Sequence, residues 1–337
     1  MDRIRIGVIG LRFGQQHVRT LVNMPDAHLV AVADRNPAVP GGLESYAASY
    51  GVSAYRDAAE MVEHESLDAL CISTAPRSRH ELIELGASKG LPMFVEKPWA
   101  TNLAHARQLA DLCRRTGATV MTAFSFRFHP AIVKLRELMD ADLGAGWMLN
   151  GQYVFGYIPP AGHWLWDPAD GNGFFNENSC HLFDAVCSLL GDPVSVMAEI
   201  INPMNAPTPN AAAVTVRFAG GAIAALTLGG IAAPAMRDFP RIDVITANGQ
   251  ATLVGREHIW VGLRWSTRGD DAVHQIDRQP EALGRTRYTD AFQHFFDCIR
   301  AGQPPSATAR DGVRTVALAM ALTESAHSGQ PVQIPTF

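Results

Sequence analysis

Residues 7–17 read GVIGLRFGQQH. The apolar run 4–9 enters a glycine turn at Gly10 and leaves through Gly14 into a stretch with helical spacing. Strand, glycines and helix follow one another as in the dinucleotide-binding G-x-G-x-x-G loop, except that Arg12 stands where the second glycine belongs. Such a loop needs a tight turn, a close backbone approach to a pyrophosphate and a helix N-terminus aimed at it, because unpaired N–H groups and the helix dipole favour an anion there. Gly10 can supply the turn and Gly14 the close approach, with Phe13 beside them in the cofactor loop. Arg12 either projects into solvent or contacts a phosphate with its guanidinium. Asp34, at the end of the second apolar run 29–33, is placed to accept the adenosine ribose hydroxyls. Arg35 could hold a 2′-phosphate, which Asp34 would repel, so NAD is favoured with NADP possible.

Working outward, short apolar strands at 4–9, 29–33, 69–73, 93–95 and 119–123 alternate with helical patterns such as 81–89 and 103–115. This βαβ rhythm predicts an α/β domain with a doubly wound parallel sheet. After residue 124 the rhythm changes: a helix at 131–139, a strand near 152–155, a tryptophan-rich loop at 163–167 and a helix at 176–190. A hairpin signal follows, with Val214, Val216 and Phe218 before Gly220-Gly221 and Ile223, Ala225 and Thr227 after it. Helices at 290–300 and 311–328 close the chain. A length of 337 residues exceeds what one core usually fills. Two domains are therefore expected: 1–123, an NAD(P)-binding Rossmann domain, and 124–337, an α+β domain with an antiparallel sheet, its last helix able to pack back on the first.

The chain is 47% hydrophobic and 18% charged with a net charge of −5, which offers no electrostatic footprint for nucleic acid or an anionic membrane. No signal peptide is expected from the first residues, and the apolar stretch 222–233 is too short to span a bilayer and is broken at Gly229 and Gly230. Cys71, Cys113, Cys180, Cys187 and Cys298 are scattered without C-x-x-C spacing, which suits free thiols in a reducing cytoplasm. No metal is expected, because the histidines do not cluster with acids or thiols at ligand spacing.

FVEKPWATN, residues 94–102, puts Glu96, Lys97 and Pro98 just after a strand, at a carboxyl edge of the sheet where doubly wound folds bind ligands. With the loop at 7–17, this resembles the glucose-fructose oxidoreductase, inositol dehydrogenase and rhizopine catabolism (Gfo/Idh/MocA) family. AYRDAAEMV (54–62), CISTAPRSRHELI (71–83), FSFRFHPAIVKLREL (124–138), the Gly220-Gly221 hairpin and DGVRTVALAMALTESAHSGQPV (311–332) look like their family counterparts, in the family's order. The resemblance implies a C-terminal domain whose large, open, mainly antiparallel sheet often mediates oligomers, here a homodimer or homotetramer. It adds Thr74, Ala75, Pro76, His80, Glu96 and Lys97 to the expected cofactor contacts.

The family's acid/base histidine follows a glycine turn and lies four residues beyond an acid. In GNGFFNENSCHLFD (171–184), Gly171 and Gly173 make the turn, Glu177 matches the acid and His181 the histidine. On one helix, residues four apart share a face. Many relatives carry Asp at the first position; the longer Glu177 touches substrate, orients His181 or binds a differently shaped sugar. Asp184 is a supporting partner or a polar face residue. The resemblance implies alcohol oxidation, with His181 taking the hydroxyl proton and Lys97 stabilising the developing charge on oxygen.

AGHWLWDP (161–168) offers Trp164 and Trp166 as aromatic faces for a pyranose or cyclitol ring, with His163 or Asp167 for its hydroxyls; the indoles are equally plausible as core or subunit contacts. Arg127 and Tyr153 could line the same cleft. The leading function is an NAD(P)-dependent dehydrogenase acting on a secondary hydroxyl of a sugar, sugar derivative or cyclitol. The alternatives are an NAD-dependent glycoside hydrolase of the same family, which would release an aglycone without net NADH, and a non-catalytic sugar or nucleotide sensor.

Overall fold

The apolar run that opens the chain becomes β1 (Ile4–Ile9), near the centre of a six-stranded sheet. Its neighbours are β2 (Ala27–Ala33), β3 (Ser53–Tyr55), β4 (Ala69–Ile72), β5 (Met93–Val95) and β6 (Val120–Thr122), in the order β3-β2-β1-β4-β5-β6. Every pairing is parallel. Strands covered on both faces must be apolar throughout, and β4, β5 and β6 are buried at every residue. The strand order reverses between β1 and β4, the point where doubly wound sheets open a crevice at their carboxyl ends. The structure, a computed structural model, describes residues 2–277 and 286–335.

Two compact units form: Met1–Ala100, Ala104–Ala123 and Tyr288–Val313 make the first, and Thr101–Leu103, Phe124–Arg287 and Arg314–Phe337 the second. The helix Thr286–Ala301 belongs to the first unit from Tyr288 onward, and so does the start of the last helix, up to Val313. Phe292, Phe295 and Phe296 recur at helical spacing on a buried face, and Phe292 stacks on Phe94 of β5 at 4.3 Å between centroids. The last helix, Ala309–Ser328, belongs to the second unit from Arg314 onward, where Leu318 and Leu322 enter that unit's core.

The second unit is built on a nine-stranded sheet. Its strands are β7 (Gly146–Val154), β8 (Pro193–Ile201), β9 (Ala211–Phe218), β10 (Ile223–Gly229), β11 (Arg241–Thr246), β12 (Gly249–Arg256), β13 (Ile259–Thr267), β14 (His274–Asp277) and β15 (Val332–Gln333). They run in the order β14-β13-β12-β11-β7-β10-β9-β8-β15, antiparallel everywhere except between β7 and β10. The β9-β10 hairpin forms where the Gly220-Gly221 signal places it. Val214 pairs with Leu226 and Val216 with Ala224 on the buried face, while Ile223, Ala225 and Thr227 lie opposite Arg217, Thr215 and Ala213 on the other. Side chains alternate with a period of two, so the turn length alone fixes which set is buried.

The helix expected at 176–190 is two helices, Gly173–Glu177 and Cys180–Leu190. At the break the Ser179 N–H reaches back to the Phe174 carbonyl at 3.3 Å and the His181 N–H to that of Asn178 at 3.4 Å, away from regular α-helical pairing. Asn178 and Ser179 are poor helix formers, because their side chains compete for nearby backbone groups.

Candidate active site

In the first unit the glycine loop lies against the segment that follows β4. Gly10 has φ +88°, and a Cβ there would come within 2.9 Å of the Ser73 carbonyl. At Gly14 a Cβ would stand 3.2 Å from the Ser73 Cβ and 3.3 Å from a Val8 methyl. The helix Gly14–Leu21 then starts with no side chain capping its free N–H groups. Asp34 fastens the loop from β2: one carboxylate oxygen accepts the Leu11 N–H at 2.7 Å and the other the Asn36 N–H at 2.8 Å. Each oxygen keeps a second acceptor position. A close-approach cradle, an uncapped helix start and an acceptor at the end of β2 together fit a dinucleotide. Arg12 and Phe13 are exposed on the loop, and Arg35 lies 3.3 Å from Asp57.

Thr74 and Ala75 are half-buried and Pro76 buried in the turn after β4, whereas His80 is exposed. The buried residue at this point is its neighbour Arg79, the first residue of the helix Arg79–Ser88. Its guanidinium donates to the carbonyls of Pro98, of Trp99 at 2.9 Å and of Thr74 at 3.2 Å. The sequence carried a usable signal for Arg79: it shares a helix face with the buried Ile83.

Glu96, directly after β5, is buried. Its Oε1 lies 2.6 Å from His17 Nε2 and its Oε2 accepts the Lys97 N–H at 2.9 Å. Burial pushes this carboxyl up, but the hydrogen bond from His17 and the charges of His17, Lys97 and Arg79 outweigh it and hold the group below its ordinary value. The carboxylate therefore faces the protein interior, where it ties His17 to the Lys97 backbone. Lys97 follows, half-buried.

In the second unit a turn through Asn172 (φ 55°) and Gly173 (φ +83°) leads to Glu177 and His181, both buried. They sit on either side of the helix break, Glu177 ending one helix and His181 in the first turn of the next, so the shared face of one continuous helix does not form. The His181 ring stacks on Phe126 at 5.0 Å, and Phe126 meets the Tyr153 ring edge at 5.7 Å.

Several expected substrate contacts have other partners. Arg127 forms a buried two-pronged ion pair with Asp184, Nε to Oδ2 at 2.8 Å and a second bond from its terminal nitrogen to Oδ1. Tyr153 is buried in the core, and its hydroxyl is 2.6 Å from His258 Nδ1. Sequence reading missed His258, which lies in the β12-β13 turn with Glu257, both at positive φ. That turn carries no Asn-Gly or Asp-Gly pair to announce it. Trp166 is buried and donates its indole N–H to the carbonyls of Pro159 at 3.3 Å and Pro160 at 3.1 Å, making it the pillar of its own loop. Trp164 remains half-buried beside His163, whose Nδ1 accepts the Leu165 N–H at 3.2 Å, and Asp167 is exposed.

Residues 4–124 match the oxidoreductase family with an NAD-binding Rossmann fold, and residues 132–252 match the GFO/IDH/MocA C-terminal domain. The chain belongs to the Gfo/Idh/MocA family. Among curated members it is 27% identical to scyllo-inositol 2-dehydrogenase (NAD(+)) of Bacillus subtilis, covering 98% of this chain and 96% of that one. It is 26% identical to D-apiose dehydrogenase of Paraburkholderia graminis, covering 100% of this chain and 91% of the relative. An oxidoreductase from Agrobacterium radiobacter, crystallised with NAD+, L-tartaric acid and magnesium, has the same fold, with a TM-score of 0.84 at 20% identity over 99% of both chains. Among the described residues no helix is long and apolar enough to cross a membrane.

Proposed function

We propose that this Gfo/Idh/MocA protein is an NAD(P)-dependent dehydrogenase that moves a hydride between a nicotinamide cofactor and a secondary hydroxyl of a sugar, sugar derivative or cyclitol. The observation that carries this reading is Lys97, set just beyond β5 by a buried carboxylate that holds its backbone N–H. A bound nicotinamide supplies the hydride acceptor. Lys97 offers its ammonium to the substrate oxygen and favours the charge that develops there. His181 takes the hydroxyl proton at a ring nitrogen, held in place by Phe126. Glu177, at the end of the preceding helix, contacts the substrate or orients His181. Trp164 and His163 are the surface left to meet a sugar ring once Trp166, Tyr153 and Arg127 are assigned to the core.

NAD is the expected cofactor, because Asp34 repels a 2′-phosphate and Arg35 is turned towards Asp57. Relatives named for scyllo-inositol and D-apiose support a polyhydroxylated substrate. The exposed sheet face presents Met148 opposite Ile245, 48% and 41% exposed, which supports a homodimer or homotetramer formed through it. Five free thiols support a cytoplasmic location. The test is a fluorescence titration with NADH and NADPH, followed by a polyol and sugar panel read at the nicotinamide absorbance. Lys97→Ala and His181→Ala should lose turnover while NADH still binds. Near-wild-type turnover in either variant would remove that residue from the mechanism.

A further inference from the structure

The last residue of the opening stretch, His17, is fully buried beneath the loop that carries Lys97. Its ring is walled edge-on by Phe13, Phe94, Tyr288 and Phe292, at centroid distances of 5.4, 5.5, 5.7 and 5.3 Å. Nδ1 has no hydrogen-bond partner inside this box, and Nε2 has one, the Glu96 carboxylate at 2.6 Å. An ionised carboxylate can only accept, so the imidazole donates its Nε2–H. The other Glu96 oxygen accepts the Lys97 N–H. Facing Glu96 from the elements around it are His17, Lys97, Arg79 and the Cys71 thiol, which burial and the Glu96 charge together push up.

We propose that His17 is the positioning residue for Lys97: its Nε2–H fixes the Glu96 carboxylate under the loop, and that carboxylate holds the Lys97 backbone and supplies a fixed negative charge to its ammonium. Without its donor the carboxylate is free to turn away from Lys97, so removing His17 weakens the charge that Lys97 feels. This inference rests on the reading of Lys97 as the group that meets the substrate oxygen, but its test does not depend on turnover.

The chain has three lysines, Lys89, Lys97 and Lys134. Reductive methylation with 13C-formaldehyde gives each a separate NMR signal whose midpoint can be followed with pH, with Lys97→Ala supplying the assignment. In His17→Leu the Lys97 midpoint should fall by roughly half a pH unit or more, while Lys89 and Lys134 stay put. His17→Gln, whose amide N–H reaches in the same direction, should recover most of the shift. Glu96→Gln should lower the midpoint by a similar amount, and the His17→Leu/Glu96→Gln double variant should fall no further than Glu96→Gln alone. A Lys97 midpoint unmoved in His17→Leu, with only the melting temperature lowered, would reduce His17 to a packing residue. Should His17→Leu not fold, an unmoved midpoint in Glu96→Gln overturns the proposal equally. If the midpoint moves as expected but no panel substrate turns over, the dehydrogenase reading fails and the His17 role stands.

Discussion

Replacing Asp184 by alanine decides whether Arg127 serves the substrate or the core. The two side chains are 7% and 0% exposed and meet in a bidentate pair, so the variant leaves a guanidinium buried without its counter-charge. Removing one partner of a buried pair costs about 3–5 kcal/mol, because the surviving charge keeps its desolvation penalty. For a unit of this size each kcal/mol moves the melting temperature by roughly 2–4 °C, which predicts a loss of roughly 10 °C by scanning fluorimetry. Arg127→Met should be comparably destabilising. The Arg127→Met/Asp184→Leu double variant, with two apolar side chains of similar bulk in place of the ions, should recover most of the loss. In all three, KM for the substrate identified by the panel should change little in whatever fraction folds. The reasoning is refuted if Asp184→Ala melts within about 2 °C of wild type, or if Arg127→Met keeps its stability while KM rises about tenfold.

Gly10→Ala forces a Cβ against the Ser73 carbonyl at a positive φ, and should weaken NADH affinity at least tenfold, on the order of 1.4 kcal/mol; fluorescence titration measures it, and unchanged affinity would mean the loop does not approach the nucleotide. The two tryptophans separate by readout: Trp166→Ala should lower the melting temperature, as loss of a buried indole costs about 3 kcal/mol or more, whereas Trp164→Ala should leave stability intact and raise KM. Glu96 gives a pH test with a definite sign. Its folded value lies below its unfolded one, so its contribution is complete above the unfolded carboxyl value of about 4.3 and is lost as pH falls below it. Melting temperature should therefore drop less steeply with acid in Glu96→Gln than in wild type, and parallel curves would contradict the assignment. Met148→Arg, a charge in the exposed sheet face, should lower the solution mass measured by light scattering if copies of the chain pair through that face.

The parallel sheet was legible because strands buried on both faces must be continuous apolar runs, and 4–9 and 93–95 coincide with β1 and β5. What escaped had weak or competing signals. β3 is three residues long and half-exposed, so Ser53–Tyr55 offers no run to detect. The hairpin at Gly220-Gly221 announced its existence but not its facing, which depends on the parity of the turn. At the candidate site the residue types were legible and their directions were not. Arg127, Tyr153 and Trp166 carry the right groups for a sugar cleft, yet each also bonds within its own unit, to Asp184, His258 and loop carbonyls. Helical phase separates Arg79 from His80, since Arg79 lies on the face of Ile83; no comparable periodicity exists in the loops that hold Trp164 and Trp166.

The opening stretch joins these levels in one short element. Gly14 lets the helix Gly14–Leu21 sit within ordinary contact of Val8 and Ser73, at the only kind of residue that adds no Cβ to that crowding. Three residues on, a little under one turn, the same helix delivers His17 to Glu96. The uncapped helix start and the imidazole that bonds Glu96 are thus parts of one short helix, seated by the same glycine against the same strands. A displacement of that helix by a few tenths of an ångström would lengthen a 2.6 Å hydrogen bond and loosen the nucleotide cradle together. For this reason Arg12 can stand in the second glycine position without dissolving the motif: Gly10 and Gly14 hold the backbone against Ser73, whereas Arg12 lies exposed on the loop between them.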